Sequence, residues 1–159
     1  MTGEEAIAYI EHIPWQGVRL GLERTRELLK KLGNPEKNLR FVHIAGTNGK
    51  GSTAAMLAAV LQSAGYRTGL YISPFLQVFN ERMSVNGTMI SGEELGEITE
   101  QVRFSAEAME DRPTEFELMT AIAFLYFRRQ HCDIVVLEVG MGGRLDSTNV
   151  IGSPEAAVI

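Results

Sequence analysis

Short apolar runs in this chain alternate with stretches in which apolar positions recur at helical spacing. The nearly continuous runs fall near residues 40–45, 68–72, 133–139 and 155–159, which predicts four buried parallel strands. The helical stretches lie between and around these runs, so we expect helices on both faces of a mostly parallel sheet. The pattern therefore predicts an α/β fold for the chain of 159 residues.

Capping residues mark the starts of several predicted helices. Thr2, Ser91 and Thr114 each precede a glutamate by three residues, which is the spacing of a capping box. They predict helices that run to about residues 11, 109 and 129. A further helix is predicted over 20–32, and its buried stripe consists of four leucines: Leu22, Leu28, Leu29 and Leu32.

The first two predicted strands flank a helix over about 53–64, which makes a right-handed βαβ unit. The core-facing stripe of that helix is predicted to consist of Met56, Leu57, Val60 and Leu61. After the second strand, Asn86-Gly87 separates two short apolar runs and predicts a hairpin over about 82–90. We expect this hairpin to be peripheral to the sheet.

A glycine-rich loop joins the first strand to the helix that follows it. Glycines allow backbone N–H groups to approach an anion, and a helix N-terminus favours negative charge. A lysine adds positive charge for the outer phosphates, and a hydroxyl can hold Mg²⁺. The segment therefore predicts a phosphate site composed of Gly46, Thr47, Asn48, Gly49, Lys50, Gly51 and Ser52.

This loop departs from the usual P-loop pattern, in which GxxxxGK is followed directly by serine or threonine. Anchored on Gly49 and Lys50, that pattern requires glycine where Ile44 stands and a hydroxyl where Gly51 stands. The hydroxyl is displaced to Ser52, which weakens an ordinary kinase or GTPase interpretation. A glycine-rich turn that only connects two elements is the alternative.

One carboxylate lies near the carboxyl end of the predicted strand DIVVLEV. A charge in a buried strand is costly unless it is paired or metal-bound, so Glu138 needs a partner. This end of the strand lies beside the phosphate loop, which makes Mg²⁺ the expected partner. A structural salt bridge is the alternative. By contrast, Cys132 precedes the strand and is expected to pack as a small apolar residue.

Several segments resemble the folate branch of the Mur-type ATP-dependent ligases, folylpolyglutamate synthase and dihydrofolate synthase, in order and in spacing. The resemblance covers nearly the whole chain. Besides the loop GTNGKGS, it rests on HIPWQGVRLGLER, ISPFL, ERMSVNG, FELMTAIAF and VVLEVGMGGRLDSTNV. Members of this family often have histidine where Phe75 stands, which leaves any role of an imidazole there without support.

The resemblance implies a fold like the Mur ligase central domain, with ATP and Mg²⁺ as cofactors. The resemblance implies that Lys50 is the catalytic residue of an ATP-binding loop formed by residues 46–52. It also implies that Ser52, Ser73 and Glu138 bind the metal ion. Ser73 could instead only cap the turn at Pro74. The folate or pterin contacts that it implies are Thr114, Glu115, Phe116, Glu117, Leu145, Asp146 and Ser147, with the region 18–21 at the border of the pterin.

The implied reaction joins L-glutamate to a folate or dihydropteroate carboxylate through an acyl phosphate. Thr114 to Glu117 could equally serve capping and core packing alone. Arg144 could clamp a phosphate or carboxylate, or could pair with Asp146. Two other functions stay open: a small-molecule phosphotransferase, and a non-catalytic remnant or nucleotide-binding module. A Mur-type peptidoglycan ligase is a minor alternative, because those enzymes typically carry Thr-Thr after the P-loop lysine.

Composition limits the partners. The net charge of −5 argues against a general nucleic-acid surface, and no apolar run approaches the length of a membrane span. The single cysteine and the lack of a targeting segment predict a cytoplasmic protein.

By the family pattern, 1–159 is an incomplete N-terminal ATP-binding domain without the C-terminal glutamate-binding domain. We therefore expect a monomeric parent enzyme and an inactive isolated chain.

Overall fold

The computed structural model describes residues 1–13 and 19–159. Its helices are α1 (Gly3–Glu11), α2 (Glu23–Lys31), α3 (Lys50–Ser63), α4 (Gly92–Glu107) and α5 (Glu115–Arg129). Its strands are β1 (Phe41–Ile44), β2 (Thr68–Tyr71), β3 (Met83–Val85), β4 (Thr88–Met89), β5 (Ile134–Glu138) and β6 (Ala156–Val158). The predicted loop at 14–17, together with Val18, lies outside the described residues.

The six strands form one sheet in the order β4-β3-β2-β5-β1-β6. The four predicted strands β1, β2, β5 and β6 are parallel, which confirms the α/β fold class. Strand β5 lies between β1 and β2, and all five of its residues are buried. Its position explains why its sequence is an apolar run rather than an alternating pattern.

Helices cover both faces of the sheet, as predicted. On one face α3 packs over a small cluster that includes Val42, Ile44 and Val136. On the other face α1, α2, α4 and α5 enclose the larger core, in which Phe124 of α5 meets Phe41 of β1 with ring centroids 5.3 Å apart. Cys132 is buried in this larger core, and burial raises the pKa of its thiol to about 11.

The capping boxes at Thr2 and Thr114 are present with both of their hydrogen bonds. At Ser91 the hydroxyl accepts from the Glu94 N–H, and the Glu94 carboxylate meets that hydroxyl rather than closing the box on the backbone. Helix α2 begins at Glu23 rather than at the predicted residue 20, because Gly21 has a φ of 128°. Each of the four predicted leucines of α2 is nevertheless buried.

The predicted core stripe of α3 is wrong in two of its four residues. Met56 is 64% exposed and Val60 is 63% exposed, whereas Leu57 and Leu61 pack against the sheet together with buried Ala54. Residues 54–61 are apolar on every side of the helix, so their spacing does not identify the face that is buried.

The hairpin at Asn86-Gly87 forms as predicted, with φ values of 49° and 77° that suit a type I′ turn. It is not peripheral, however. Strand β3 pairs antiparallel with β2, and both Met83 and Val85 are buried in the main core. The hairpin therefore extends the sheet by two strands. None of the described helices is long and apolar enough to cross a membrane.

Candidate active site

Three segments meet where the parallel strands end. The glycine-rich loop follows β1, Ser73 follows β2, and Glu138 is the last residue of β5. The register places Ile44 of β1 opposite Glu138. Because carboxyl ends of neighbouring parallel strands lie at one edge of the sheet, the fold brings these predicted site residues together.

The loop forms an open backbone turn in front of α3. Gly46 and Gly49 have φ values of 142° and 75°, and Gly49 is the N-cap of α3 without any side-chain cap. Residues 46–49 are exposed. The first-turn N–H groups of α3 thus lack a capping side chain, and the positive end of the helix dipole faces the same space. This arrangement can bind a phosphate.

The side chains of the loop are largely free of internal bonds. Lys50 Nζ donates to the Gly46 carbonyl at 3.0 Å, which folds the lysine back over the loop. Helix α3 begins at Lys50 rather than at the predicted residue 53, so Ser52 belongs to its first turn. The Ser52 side chain is exposed there. Both groups can therefore turn toward a bound anion without breaking the core.

Glu138 is 4% exposed, and its Oε2 accepts the Ser73 N–H at 3.0 Å. Burial raises the pKa of Glu138, while the Ser73 N–H and then the Lys50 charge act in the opposite direction. The alternative of a structural salt bridge is not realised, since Glu138 takes part in no ion pair among the described residues. A Cβ built at Gly51 would lie 3.7 Å from Oε2, so the carboxylate reaches the start of α3.

The donor set suits Mg²⁺. The described residues contain no cluster of three or more His, Cys, Asp or Glu side chains. One carboxylate and nearby serine hydroxyls are hard oxygen donors, and Mg²⁺ in phosphate sites completes its shell with water and phosphate. Glu138, Ser52 and Ser73 fit that pattern.

A cavity of about 700 Å³ opens beside this edge of the sheet. All seven residues predicted to contact the substrate line it, together with Ser73. The other lining residues, Arg19, Leu20, Pro74, Arg82, Gly140 and Met141, were not assigned to it as individual contacts by the sequence. Within the predicted border region 18–21, Arg19 and Leu20 reach the cavity. Leu20, Met141 and Leu145 expose 71%, 64% and 47% of their surface, so its rim is apolar.

Glu117 lines the cavity with its carboxylate already paired. Its oxygens accept from Arg24 Nε and Nη2 at 3.0 and 2.8 Å, and both side chains are buried. One oxygen also accepts the Thr114 N–H at 2.7 Å to complete the capping box. The carboxylate therefore holds the wall of the cavity in place, and Arg24 is a buried partner that the sequence did not reveal.

Asp146 and Ser147 are buried at the cavity floor and bonded inward. The Asp146 carboxylate accepts from the Met141 N–H and from the N–H and hydroxyl of Thr148. The Ser147 hydroxyl is 3.0 Å from Thr120 Oγ1, which donates to the Phe116 carbonyl. No ion pair between Arg144 and Asp146 occurs among the described residues.

Arg82 is a cavity residue to which the sequence assigned no role. Its guanidinium carbon lies 5.1 Å from the centroid of the Phe75 ring and 5.4 Å from that of Phe79. Within the described part of the chain, its Nε is buried without a hydrogen-bond partner. Desolvation raises the pKa of nearby Glu115, and Arg82 opposes that shift. The segment ERMSVNG gave no signal for this stacking, which depends on the fold of residues 73–82.

Comparison with known proteins identifies relatives of the chain. Residues 44–159 match the family model described as the Mur ligase middle domain. Dihydrofolate synthase/folylpolyglutamate synthase of Bacillus subtilis is 51% identical over 140 residues, which are 85% of this chain and 33% of that protein.

Solved structures give the same picture. Folylpolyglutamate synthase from Thermotoga maritima is similar with a TM-score of 0.88 and 45% identity, over 94% of this chain and 36% of that one. A complex of FPGS with AMPPCP and folate has a TM-score of 0.93 and is 41% identical. The match covers 99% of this chain and 39% of that one. The chain thus spans about a third of the length of these relatives.

Proposed function

Because this chain belongs to the Mur ligase family, through its middle domain, we propose that it carries the ATP-binding part of a glutamate ligase. The ligase joins L-glutamate to the carboxylate of folate or dihydropteroate through an acyl phosphate. One observation carries this proposal: Ser73, which lines a substrate-sized cavity, donates its N–H to Glu138, and the Glu138 carboxylate reaches the glycine-rich loop at Gly51.

The loop residues position the ATP phosphates. Backbone N–H groups of 46–52 bind the phosphate oxygens, and the helix dipole of α3 offsets their charge. Lys50 exchanges its bond to the Gly46 carbonyl for the outer phosphates, where its charge stabilises the transferring group. The substrate carboxylate attacks the terminal phosphorus, ADP leaves, and the glutamate amine then displaces phosphate to form the amide.

Mg²⁺ would be held by Glu138 and the hydroxyls of Ser52 and Ser73. It would supply charge neutralisation for the phosphates during the transfer. The Ser73 N–H fixes one carboxylate oxygen of Glu138, and the other oxygen accepts no hydrogen bond from the described part of the chain.

The cavity suits a flat aromatic group with one acidic end. Leu20, Met141 and Leu145 supply apolar surface at its rim, and Asp146 supplies a buried acceptor. Arg82 is held by two rings without a carboxylate partner within 4 Å among the described residues, so it is suited to bind a substrate carboxylate. A similar structure is a complex of FPGS with AMPPCP and folate, which supports folate as the class of ligand.

The relatives are about three times as long as this chain, and we further propose that L-glutamate is bound by a part of the parent protein outside residues 1–159. The 159-residue chain alone then binds nucleotide but does not turn over. The parent enzyme is proposed to be a cytoplasmic monomer.

The test uses the natural protein that contains this chain, purified from its source and checked by intact mass. ADP formation is measured with ATP and Mg²⁺ while the acceptor, either dihydropteroate or folate, and L-glutamate are omitted in turn. We expect full turnover only when both are present, and no turnover by the isolated 159-residue chain.

The alternatives give different results in the same assay. ADP formation that requires an acceptor but not L-glutamate would identify a phosphotransferase. Binding of AMPPCP by the natural protein without any turnover would identify a nucleotide-binding module. Either result would overturn the ligase proposal.

A further inference from the structure

A chain of hydrogen bonds connects β1 to the cavity floor. His43, the third residue of β1, places Nε2 2.8 Å from Thr148 Oγ1. Thr148 Oγ1 lies 2.5 Å from Asp146 Oδ1, and Asp146 lines the cavity. Thr148 is fully buried and Asp146 is 6% exposed. The three side chains therefore form one polar path from the strand that precedes the phosphate loop to the proposed substrate site.

The directions of these bonds follow from the number of protons available. The Thr148 hydroxyl has one proton, and the Asp146 carboxylate can only accept. The hydroxyl therefore donates to Asp146 and must accept from His43. That requires His43 to carry its proton on Nε2. Burial lowers the pKa of His43, with Asp146 acting in the opposite direction, which is consistent with a neutral ring at neutral pH.

The path fixes the carboxylate from one side only. Asp146 Oδ1 accepts the hydroxyl and N–H of Thr148, whereas within residues 1–13 and 19–159 Oδ2 accepts only the Met141 N–H. A carboxylate oxygen can accept two hydrogen bonds, so Oδ2 retains acceptor capacity for an N–H donor of a substrate. Rotation of the carboxylate would misdirect that capacity.

We propose that His43 and Thr148 are positioning residues, which hold Asp146 in the orientation that binds the substrate. This inference rests on the proposed function of the cavity. Because His43 belongs to the strand that leads into the phosphate loop, the same strand supports the nucleotide site and aims the substrate acceptor. Neither residue touches the substrate.

Matched variants test the proposal in the natural protein. Glutamine can place its amide nitrogen near the position of imidazole Nε2, whereas asparagine places it near Nδ1. We expect His43→Asn and Thr148→Val to raise KM for dihydropteroate about tenfold, equivalent to about 1.4 kcal/mol. KM for ATP and kcat should stay within about twofold. His43→Gln and Thr148→Ser should restore most of the lost affinity, which a general loss of stability would not allow.

A spectroscopic measurement tests the bond direction independently. In ¹⁵N NMR of the ring nitrogens, we expect the Nε2–H tautomer of His43 at pH 7.5. The Nδ1–H tautomer, or an unchanged KM for dihydropteroate in both His43→Asn and Thr148→Val, would overturn the positioning role alone. If the wild-type protein forms no ADP with L-glutamate and either dihydropteroate or folate, the proposed function fails, and the positioning role fails with it.

Discussion

The phosphate loop and the cavity wall meet at one edge of the sheet, but they are built differently. In the loop, residues 46–49 are exposed and Lys50 has a single bond, to a neighbouring carbonyl. In the wall, Glu117 and Asp146 are buried and accept several internal hydrogen bonds each. Backbone geometry forms the first region, and buried polar side chains form the second.

Substitutions in the loop are expected to change activity without changing stability, whereas substitutions in the cavity wall are expected to change both. A loop side chain can be removed without leaving a buried group unpaired. Removal of a wall carboxylate leaves buried donors without partners, which costs free energy of folding as well as affinity. Substitutions in the two regions should therefore produce distinct patterns of activity and stability.

The largest effect on activity is expected in the loop, for Lys50→Met. Loss of the charge that stabilises the transferring phosphate should lower kcat of the natural protein about 10²–10³-fold. The free energy of unfolding should change by no more than about 0.5 kcal/mol, since Lys50 is not buried. Steady-state ADP release and urea denaturation measure the two. A loss of stability above about 2 kcal/mol would break the contrast.

The largest effect on stability is expected in the wall, for Glu117→Ala. It removes the closer and buried of the two carboxylates that pair with Arg24, and leaves only half-exposed Asp111 at 3.7 Å, so we expect a loss of about 3–5 kcal/mol in urea denaturation. The control is the double variant Arg24→Met with Glu117→Leu, which removes both charges and should recover much of that loss. If the midpoint of urea unfolding of Glu117→Ala equals that of the wild type, the ion pair between Arg24 and Glu117 does not stabilise the cavity wall.

A pair of glycines tests the wall without any change of charge. A Cβ at Gly140 would lie 2.4 Å from Phe116 Cζ, whereas a Cβ at Gly143 meets nothing within 4 Å. Gly140→Ala should displace the Phe116 ring, destabilise the protein by about 1–3 kcal/mol and raise KM for the pteridine substrate. Gly143→Ala is the matched control and should be close to wild type. Equal behaviour of the two variants would contradict the packing described here.

The smallest effect concerns Glu138, which lies between the two regions. Because burial raises its pKa in the folded state, its contribution favours folding at low pH and is lost as pH rises through that pKa. In metal-free protein, Glu138→Gln should therefore melt above wild type at pH 7.5, and the difference should vanish below about pH 4.

The control variant for this experiment is expected to shift the melting temperature in the opposite direction. Arg40 lowers the pKa of Glu155, so Glu155→Gln should melt slightly below wild type at pH 7.5. A lower melting temperature for Glu138→Gln at that pH would show that the ionised carboxylate is stabilised rather than strained by its surroundings.

Local signals in the sequence were sufficient for most of the fold. The capping boxes at Thr2 and Thr114, the Asn86-Gly87 turn and the apolar run of β5 each depend on neighbouring residues, and each forms as predicted. Long-range pairing was not accessible in this way. The exposed side of α3 depends on packing against β5, which lies far along the chain, and the hairpin pairs with β2 across the intervening segment 72–82.

The same division applies to the site. The glycine pattern identified the loop, and a lone carboxylate in an apolar strand identified Glu138, because each is locally anomalous. Arg82 carries no such anomaly, since an arginine in a polar segment is ordinary until two rings enclose it. The sequence likewise indicates no role for His43, because its partner Thr148 lies 105 residues further along the chain.

The strand order has a consequence for how the molecule forms during synthesis. Among the described strands, β1 pairs with β5 and β6, and Phe41 lies opposite Val135. On the ribosome, the glycine loop therefore emerges long before any strand exists to pair with β1. The sheet edge that carries the glycine loop is complete only after Glu138 has left the exit tunnel. Until then the N–H and C=O groups of β1 lack the strands with which they pair in the folded protein, and unpaired strand edges expose a folding chain to aggregation.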